Sequence, residues 1–272
     1  MREHTREDGR PHPQTRPTTV VPSVLARNTV GSAIVRLGDT KVVAGVTIQV
    51  GNPSAMAPDC GEVTLSLHAA ALNPSEEANE SYLKRIIQSS EIIDLTDLCI
   101  IPGKAAWRLC VNVEILNHEG NILDAAFLAS VAALANVRLP TYQINPDTDQ
   151  VQIIASSSEK GNYTKSLPLK NIPIPLCVGV FVDKKKKENG TDEEEESTYL
   201  LVDPSFKEEQ ACHGFIHVVV DSNSGKIYSC QTIGPSINTL EQFAACIHMA
   251  IGRAKEMTPL IQACTSSAQT CK

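Results

Sequence analysis

Aromatic side chains are scarce in this 272-residue chain. Phe, Trp and Tyr make up 4% of it, with a single tryptophan, although 42% of the residues are hydrophobic. A core of this composition must be built from Val, Ile, Leu and Ala, which favours sheets packed against helices. Basic excess is also missing, since the formal net charge is −7. That excludes a protein coating itself with nucleic acid over its whole surface and leaves room only for local contacts or contacts shared with partner chains. No window approaches the roughly 20 consecutive apolar residues of a membrane span. The opening MREHTREDGRPHPQTRP has no apolar h-region of a secretory signal. Nine cysteines occur without a single CxxC pair. This pattern suits reduced thiols in the cytosol or nucleus. The sequons at Asn79, Asn162 and Asn189 then occur by chance, and a soluble intracellular protein is expected.

What is present suggests an α+β fold of two related domains. Residues 1–17 mix charge and proline and read as an extended arm. SAIVRLG and TKVVAGVTIQV flank Gly38-Asp39-Thr40, which predicts a hairpin. A helix is expected from about Asn73, carrying the apolar stripe Tyr82, Leu83, Ile86 and Ile87. The strands LCIIPG and AAWRLCVNVEILN follow, and then GNILDAAFLASVAALANV, a glycine turn running into an apolar helix. Residues 18–145 read as the first domain. Residues 146–171 read as a loose connection with a short strand at VQIIA, and 172–272 as the second domain. The second domain repeats strands followed by a helix from about Asn238 to Ala263, with Leu240, Phe243, Ala244, Ile247 and Ile251 on one face. KKKKENGTDEEEE, Lys184 to Glu196, has no apolar anchor and reads as a solvated hairpin tip rather than an RNA-binding patch.

Few constellations carry chemistry. Cys212, His213 and His217 are close in sequence, but a strand separates them and no second cluster stands at zinc spacing, so no metal site is expected. LLVDPSFKEEQ places Asp203 at the end of an apolar strand, followed by Glu208 and Glu209. On spacing alone Asp203 caps a turn before Pro204, with the two glutamates on a solvated surface. The alternative is a carboxylate pair for metal binding or general-acid work.

Five stretches together resemble the RNase PH family. They are RPTTV, SAIVRLGDTKVVAGV, DLCIIPGKAAWRLCVNVEILNHEGNILDAA, YLLVDPSFKEEQ and GKIYSCQTIGPSINTLEQFAACIHMAIGRAKEM, in an order that covers about Arg16 to Leu260. Within the family the chain is most similar to the non-catalytic ring subunits of the eukaryotic RNA exosome. The resemblance implies an RNase PH-like fold whose first domain resembles the second domain of ribosomal protein S5. It also implies pairing with other RNase PH-like subunits into a six-membered ring around a channel for single-stranded RNA. S1/KH-type cap proteins would sit above and separate nuclease subunits would cut, in the nucleus, nucleolus and cytoplasm. No cofactor, metal or membrane is implied.

Active family members carry a Ser/Thr–Arg pair for the attacking phosphate at the turn and helix start, where this chain has Ile122, Leu123 and Asp124. A carboxylate about 4 Å from a phosphate repels it by on the order of 4 kcal/mol per unit charge at surface-like dielectric. In the first turn, Asp124 instead favours the helix macrodipole by roughly 0.3–1 kcal/mol. The stretch IIQSSEIIDL, where active members place an arginine-bearing segment, has neither Arg nor Lys. Asp203 matches a family catalytic aspartate and Glu209 a second acidic position, yet both are vestigial without a phosphate clamp. The expected role is a catalytically inactive ring subunit supporting 3′-to-5′ RNA processing. The alternative is an active phosphate-dependent exoribonuclease of RNase PH type using Asp203 as acid. Lys84, Arg85, Lys104 and Arg108 are the candidates for lining an RNA path.

Overall fold

In the computed structural model, residues 6–25, 29–68, 74–145, 149–154, 163–186, 194–234 and 239–270 are described. The first sheet is built from β1 (Thr18–Pro22), β2 (Gly31–Leu37), β3 (Thr40–Gly51), β4 (Glu62–His68), β5 (Cys99–Ile101) and β6 (Ala105–Asn117). Its order is β1-β2-β3-β6-β4, with β5 folded onto the start of β6 and only the β4–β6 pair parallel. The predicted β2–β3 hairpin turns on Gly38 and Asp39, and Gly38 takes φ +58, a conformation open to glycine at little cost. Helix α1 (Pro74–Ser89) bridges β4 and β6, burying Leu83, Ile86 and Ile87 as the stripe predicts. A 3₁₀ turn, Leu95–Leu98, leads into β5.

Helix α2 (Ile122–Ala135) is apolar on every face and therefore has to be covered on every side. It packs on β2, β3 and β6 below and on β11 (Pro173–Lys186) above. Its alanines allow close approach, and its one mid-helix polar group, Ser130, donates to Ala126 O at 2.8 Å. Two short strand pairs follow α2: β7 (Arg138–Pro140) with β10 (Tyr163–Ser166), and β8 (Tyr142–Ile144) with β9 (Val151–Ile153). The expected loose connection is therefore tied back to the first sheet's side, and Lys170 N donates to Ile92 O at 2.7 Å.

The second sheet, all antiparallel, runs β12-β11-β13-β14, with β12 (Glu194–Val202), β13 (Gly214–Asp221) and β14 (Ile227–Ile233). A short helix, α3 (Phe206–Ala211), leaves β12, and the long α4 (Leu240–Thr270) closes the chain against β11, β13 and α2. One continuous apolar cluster joins both sheets through α2 and α4.

Three expectations change. Lys184–Lys186 and Glu194–Glu196 are strand, not tip. The backbone ladder continues through Lys184↔Glu196, Lys185↔Glu195 and Lys186↔Glu194, while 187–193 lie outside the described residues. Helix α4 runs seven residues past Ala263, across Pro259. Its buried face is Cys246, Ala250, Ala254, Met257, Ile261 and Cys264, rotated from the predicted one, with Leu240 85% exposed. That face packs against β11, β13 and α2.

Candidate functional site

The arm, from Arg6 to Pro17, is not loose. It lies against the junction of β12 and α3, and α4 reaches it when Arg253 Nη1 donates to Thr15 Oγ1 at 3.0 Å. Its three arginines enter a carboxylate cluster. Arg16 grips Asp203 through Nε (2.9 Å) and Nη2 (2.7 Å), and its backbone N–H donates to the same carboxylate at 2.8 Å. Arg6 pairs with Glu208 through both Nε and Nη2, and donates to the carbonyls of Val202 and Asp203. Arg10 binds Asp8 at 2.6 Å and reaches Asp203 at 3.4 Å.

Asp203 is 1% exposed and sits at φ +51. A left-handed aspartate ending β12 turns its carboxylate inward toward the arm. Burial alone would push this carboxyl up, but the Arg16 guanidinium outweighs it and holds the group below its ordinary range. Glu208 is likewise buried and held low by Arg6 and the Ser205 N–H. Its side chain completes a capping box with Ser205 at the start of α3. Asp203 as a simple turn cap and the glutamates as a solvated surface are therefore both wrong. The cause is the arm, whose arginines lie 187 and 202 residues away in sequence.

Gly120 and Asn121 turn into α2. Gly120 has φ +93, and a Cβ there would meet Phe206 N at 2.4 Å and the Ser205 carbonyl carbon at 2.5 Å. Only glycine lets the α2 start touch the β12–α3 corner this closely. Gly120→Ala is expected to lower stability by about 2 kcal/mol, read by urea unfolding.

Asn121, at φ +52, does not cap the helix with its side chain. Its Nδ2 donates to Asp124 Oδ2 and Asp203 Oδ1, both at 2.8 Å. Its backbone N–H donates to Glu209 Oε1 at 2.5 Å. The position where an external anion would meet the helix start is thus held by the protein's own Glu209 carboxylate. Asp124 stands in the first turn of α2, as the sequence suggests, and has a further task there. It is buried, and accepts from Asn121 and from the Cys177 N–H at 2.8 Å, stitching α2 to β11. Burial pushes Asp124 up to about 6 and Glu209 up to about 7, with Asp203 adding to both shifts. Ile122 and Leu123 are half-buried beside them.

His217 is buried and its pKa is lowered by burial to about 4, so it stays neutral. Cys177 Sγ lies 3.9 Å from its Nε2, and burial raises that thiol well above its ordinary range. Among the described residues no group of three or more His, Cys, Asp or Glu is arranged to hold a metal ion.

The four cationic candidates stand apart from this cluster. On α1, Lys84 pairs with Glu80 at 2.5 Å, and Arg85 lies over Tyr82 and donates to Gln231 at 3.3 Å. Lys104, in the β5–β6 turn, pairs with Asp149 at 2.5 Å, and Arg108 on β6 pairs with Glu62 at 2.7 Å. All four are at least partly exposed with an acceptor nearby. Each single alanine variant is expected to shift stability by under about 1 kcal/mol in thermal unfolding.

Sequence reasoning missed Arg6, Arg10 and Asn121, and placed Arg16 only inside a motif. The signal available was four arginines, Arg2, Arg6, Arg10 and Arg16, in an arm with few apolar residues, but no spacing rule pairs any of them with carboxylates two hundred residues on.

Two family models match the chain: domain 1 of the 3′ exoribonuclease family over residues 14–140 and domain 2 over residues 191–253. Exosome complex component Rrp42 of Sulfurisphaera tokodaii is 37% identical over 214 residues, covering 75% of this chain and 70% of that protein. Its counterpart in Pyrococcus abyssi is 28% identical over 271 residues, covering 96% and 90%. Among solved structures, a chain of the Archaeoglobus fulgidus exosome with RNA bound to the active site matches with a TM-score of 0.72 and 26% identity, covering 95% of this chain and 93% of that one. With α+β halves in the same order and both domain models matched, this chain belongs to the RNase PH family of 3′ exoribonucleases.

Proposed function

We propose that this chain is a catalytically inactive structural subunit of an exosome core ring, supporting the threading of RNA for 3′-to-5′ processing and degradation, rRNA processing included. One observation carries the reading. At the start of α2 the anion position is filled by Glu209, on an Asn121-Ile122-Leu123-Asp124 segment with no basic or hydroxyl side chain. A phosphate brought there meets the buried Asp124 carboxylate, the half-buried Glu209 carboxylate and no clamp. Asp203, at the family's acid position, is neutralised by a three-point hold from Arg16 and is in no state to donate a proton.

The likeness to archaeal Rrp42 proteins, named as exosome components, supports assembly with other RNase PH-like subunits. S1/KH-type cap proteins and separate nuclease subunits complete the reading, with residence in nucleus, nucleolus and cytoplasm. The run from Pro102 to Trp107 together with GNILDAA resembles the eukaryotic component called ribosomal RNA-processing protein 43. Lys84, Arg85, Lys104 and Arg108 would share the RNA path, so no single substitution should strongly alter RNA binding by the assembled complex.

The test is a short RNA incubated with the purified chain and inorganic phosphate. No nucleoside diphosphate release is expected, and Asp203→Asn should change nothing. Phosphate-dependent release lost in Asp203→Asn would establish an active exoribonuclease instead. The native mass of the tagged chain, purified gently with its partners identified, tests the ring. Co-elution with other RNase PH-like chains is expected, and a monomer or a ring of this chain alone would overturn the assignment.

A further inference from the structure

Along the edge of β6 that faces away from β3, one strand hands over to another. β5 pairs with the start of β6, Cys99 facing Ala106, and β4 takes up the same edge with Glu62 facing Arg108. The handover is stitched at both ends: Gly61 N donates to Leu95 O at 2.9 Å and Gly103 N to Pro58 O at 2.7 Å. A Cβ on Gly61 would meet Leu98 Cβ and Trp107 O, both at 2.4 Å, so the two backbones touch with no side chain between them.

Two cysteines flank this contact. Cys60 precedes Gly61, Cys99 follows Leu98, and both are half-buried. Facing residues of an antiparallel ladder put their side chains on the same side of the sheet, so Cys99 stands on the side of Ala106. Cys60 and Ala106 line one cavity of about 270 Å³ that opens to solvent. The two thiols therefore converge on Ala106 from touching segments. Desolvation, then Asp59, raises the Cys60 thiol above its ordinary value, and Cys99 adds to the shift, so at rest the pair is two thiols. Cys177, Cys246 and Cys264, in contrast, are buried away from any dissolved oxidant.

We propose that Cys60 and Cys99 form a reversible disulfide when the chain meets hydrogen peroxide, a redox staple that locks the start of β4 to β5. Cys60, at the open cavity, is the thiolate that attacks the peroxide, giving a sulfenic acid and a hydroxide ion. The Cys99 thiol then attacks the Cys60 sulfur, the S–S bond forms, and the sulfenic hydroxyl leaves as water with the Cys99 proton. In balance two thiols and one peroxide become one disulfide and two waters, the sulfurs losing the two electrons that the peroxide gains. Because the thiolate is the reactive form, the step quickens as the solution is made more alkaline. A dithiol reverses it. The inference stands whether or not the chain sits in a ring.

The experiment treats the full-length chain, reduced and then freed of reductant, with hydrogen peroxide in mildly alkaline buffer. Remaining thiols are alkylated and the non-reduced peptides are read by mass spectrometry. The expected product is a Cys60–Cys99 linked peptide, lighter than its parts by two hydrogen atoms and erased by dithiothreitol, in roughly tenfold or greater excess over any other cysteine pair. In Cys99→Ser the same treatment leaves a Cys60 sulfenic acid that dimedone captures, and in Cys60→Ser no bridge forms. Cooperative melting of both variants in reductant establishes that they are folded. The oxidised parent should melt several degrees above the reduced chain, because a bridge over β4 and α1 restrains the unfolded state, and neither variant should shift. Three outcomes overturn the proposal: both cysteines stay free for alkylation, bridges to other cysteines match this one, or the bridge forms as readily in urea as in the folded chain. A bridge with no rise in melting temperature also overturns the staple.

Discussion

Arg16→Ala is expected to destabilise the fold by about 3–5 kcal/mol, the cost of leaving a buried carboxylate without its partner. Asp203 is 1% exposed, and Arg16 supplies three of its hydrogen bonds. Two of those come from the guanidinium and vanish in the variant, while the backbone N–H remains. Arg10 stands at 3.4 Å and cannot replace a bidentate grip. For a chain of this size each kcal/mol moves the melting temperature by about 2 °C, so a drop of roughly 6–10 °C is expected in calorimetry. Combining Arg16→Met with Asp203→Asn should cost less than the sum of the single changes, by roughly 1–3 kcal/mol, because the charge left behind is removed with its partner. A loss below 0.5 kcal/mol in Arg16→Ala would mean that the arm is a passive covering (about 0.5 kcal/mol being the usual surface effect).

The second large effect concerns pH. Burial raises Glu209 from its ordinary 4.5 to about 7. Below 4.5 the group is protonated in folded and unfolded chains alike, and its stabilising share is complete. As pH rises from 4.5 to 7 the unfolded chain ionises first, and that share is lost. The linkage is worth roughly 3 kcal/mol at most, less after screening at the open side of a half-buried group. Asp124, raised from 3.8 to about 6, acts in the same direction over a lower window. Asp203 and Glu208 act oppositely, because their values are lowered and their share is lost as pH falls through those folded values. Stability should therefore peak in mildly acidic solution. Glu209→Gln keeps an oxygen for the Asn121 N–H but removes the charge. It should flatten the pH profile between 5 and 7 and be more stable than the parent at pH 8, measured by urea unfolding at each pH. A parent profile that rises from pH 5 to pH 8 would refute the assignment.

Local chemistry explains which parts were legible. The β2–β3 hairpin and the α1 stripe follow from short-range rules of turn and period, and the structure has both. The all-apolar α2 announced a helix but not its surroundings, since periodicity cannot say that a second sheet covers the far side. The charged run failed for a related reason. Lysines and glutamates look like loop when read in order, yet the antiparallel backbone register of β11 and β12 continues through them. The site was the least legible. Asp203 and Glu209 were found as residues, but their state depends on an arm whose sequence shows charge and proline and no hint of destination. The place of Asp124 in the first turn of α2 was legible, but its bond from the Cys177 N–H, 53 residues on, was not.

The arm also sets a timetable for synthesis. Arg16 leaves the ribosome 187 residues before Asp203, and Arg6 precedes Glu208 by 202. At about 5–20 residues per second the arginines wait roughly ten to forty seconds for their acceptors. During that interval the β1 strand next to them can join its hairpin, but the corner that will hold Asp203 does not yet exist. Closure of the arm is therefore among the last events in maturation. A nascent chain stalled within β11 would present the Arg6 and Arg16 guanidinium groups without their carboxylates, beside an α2 that still lacks its upper cover.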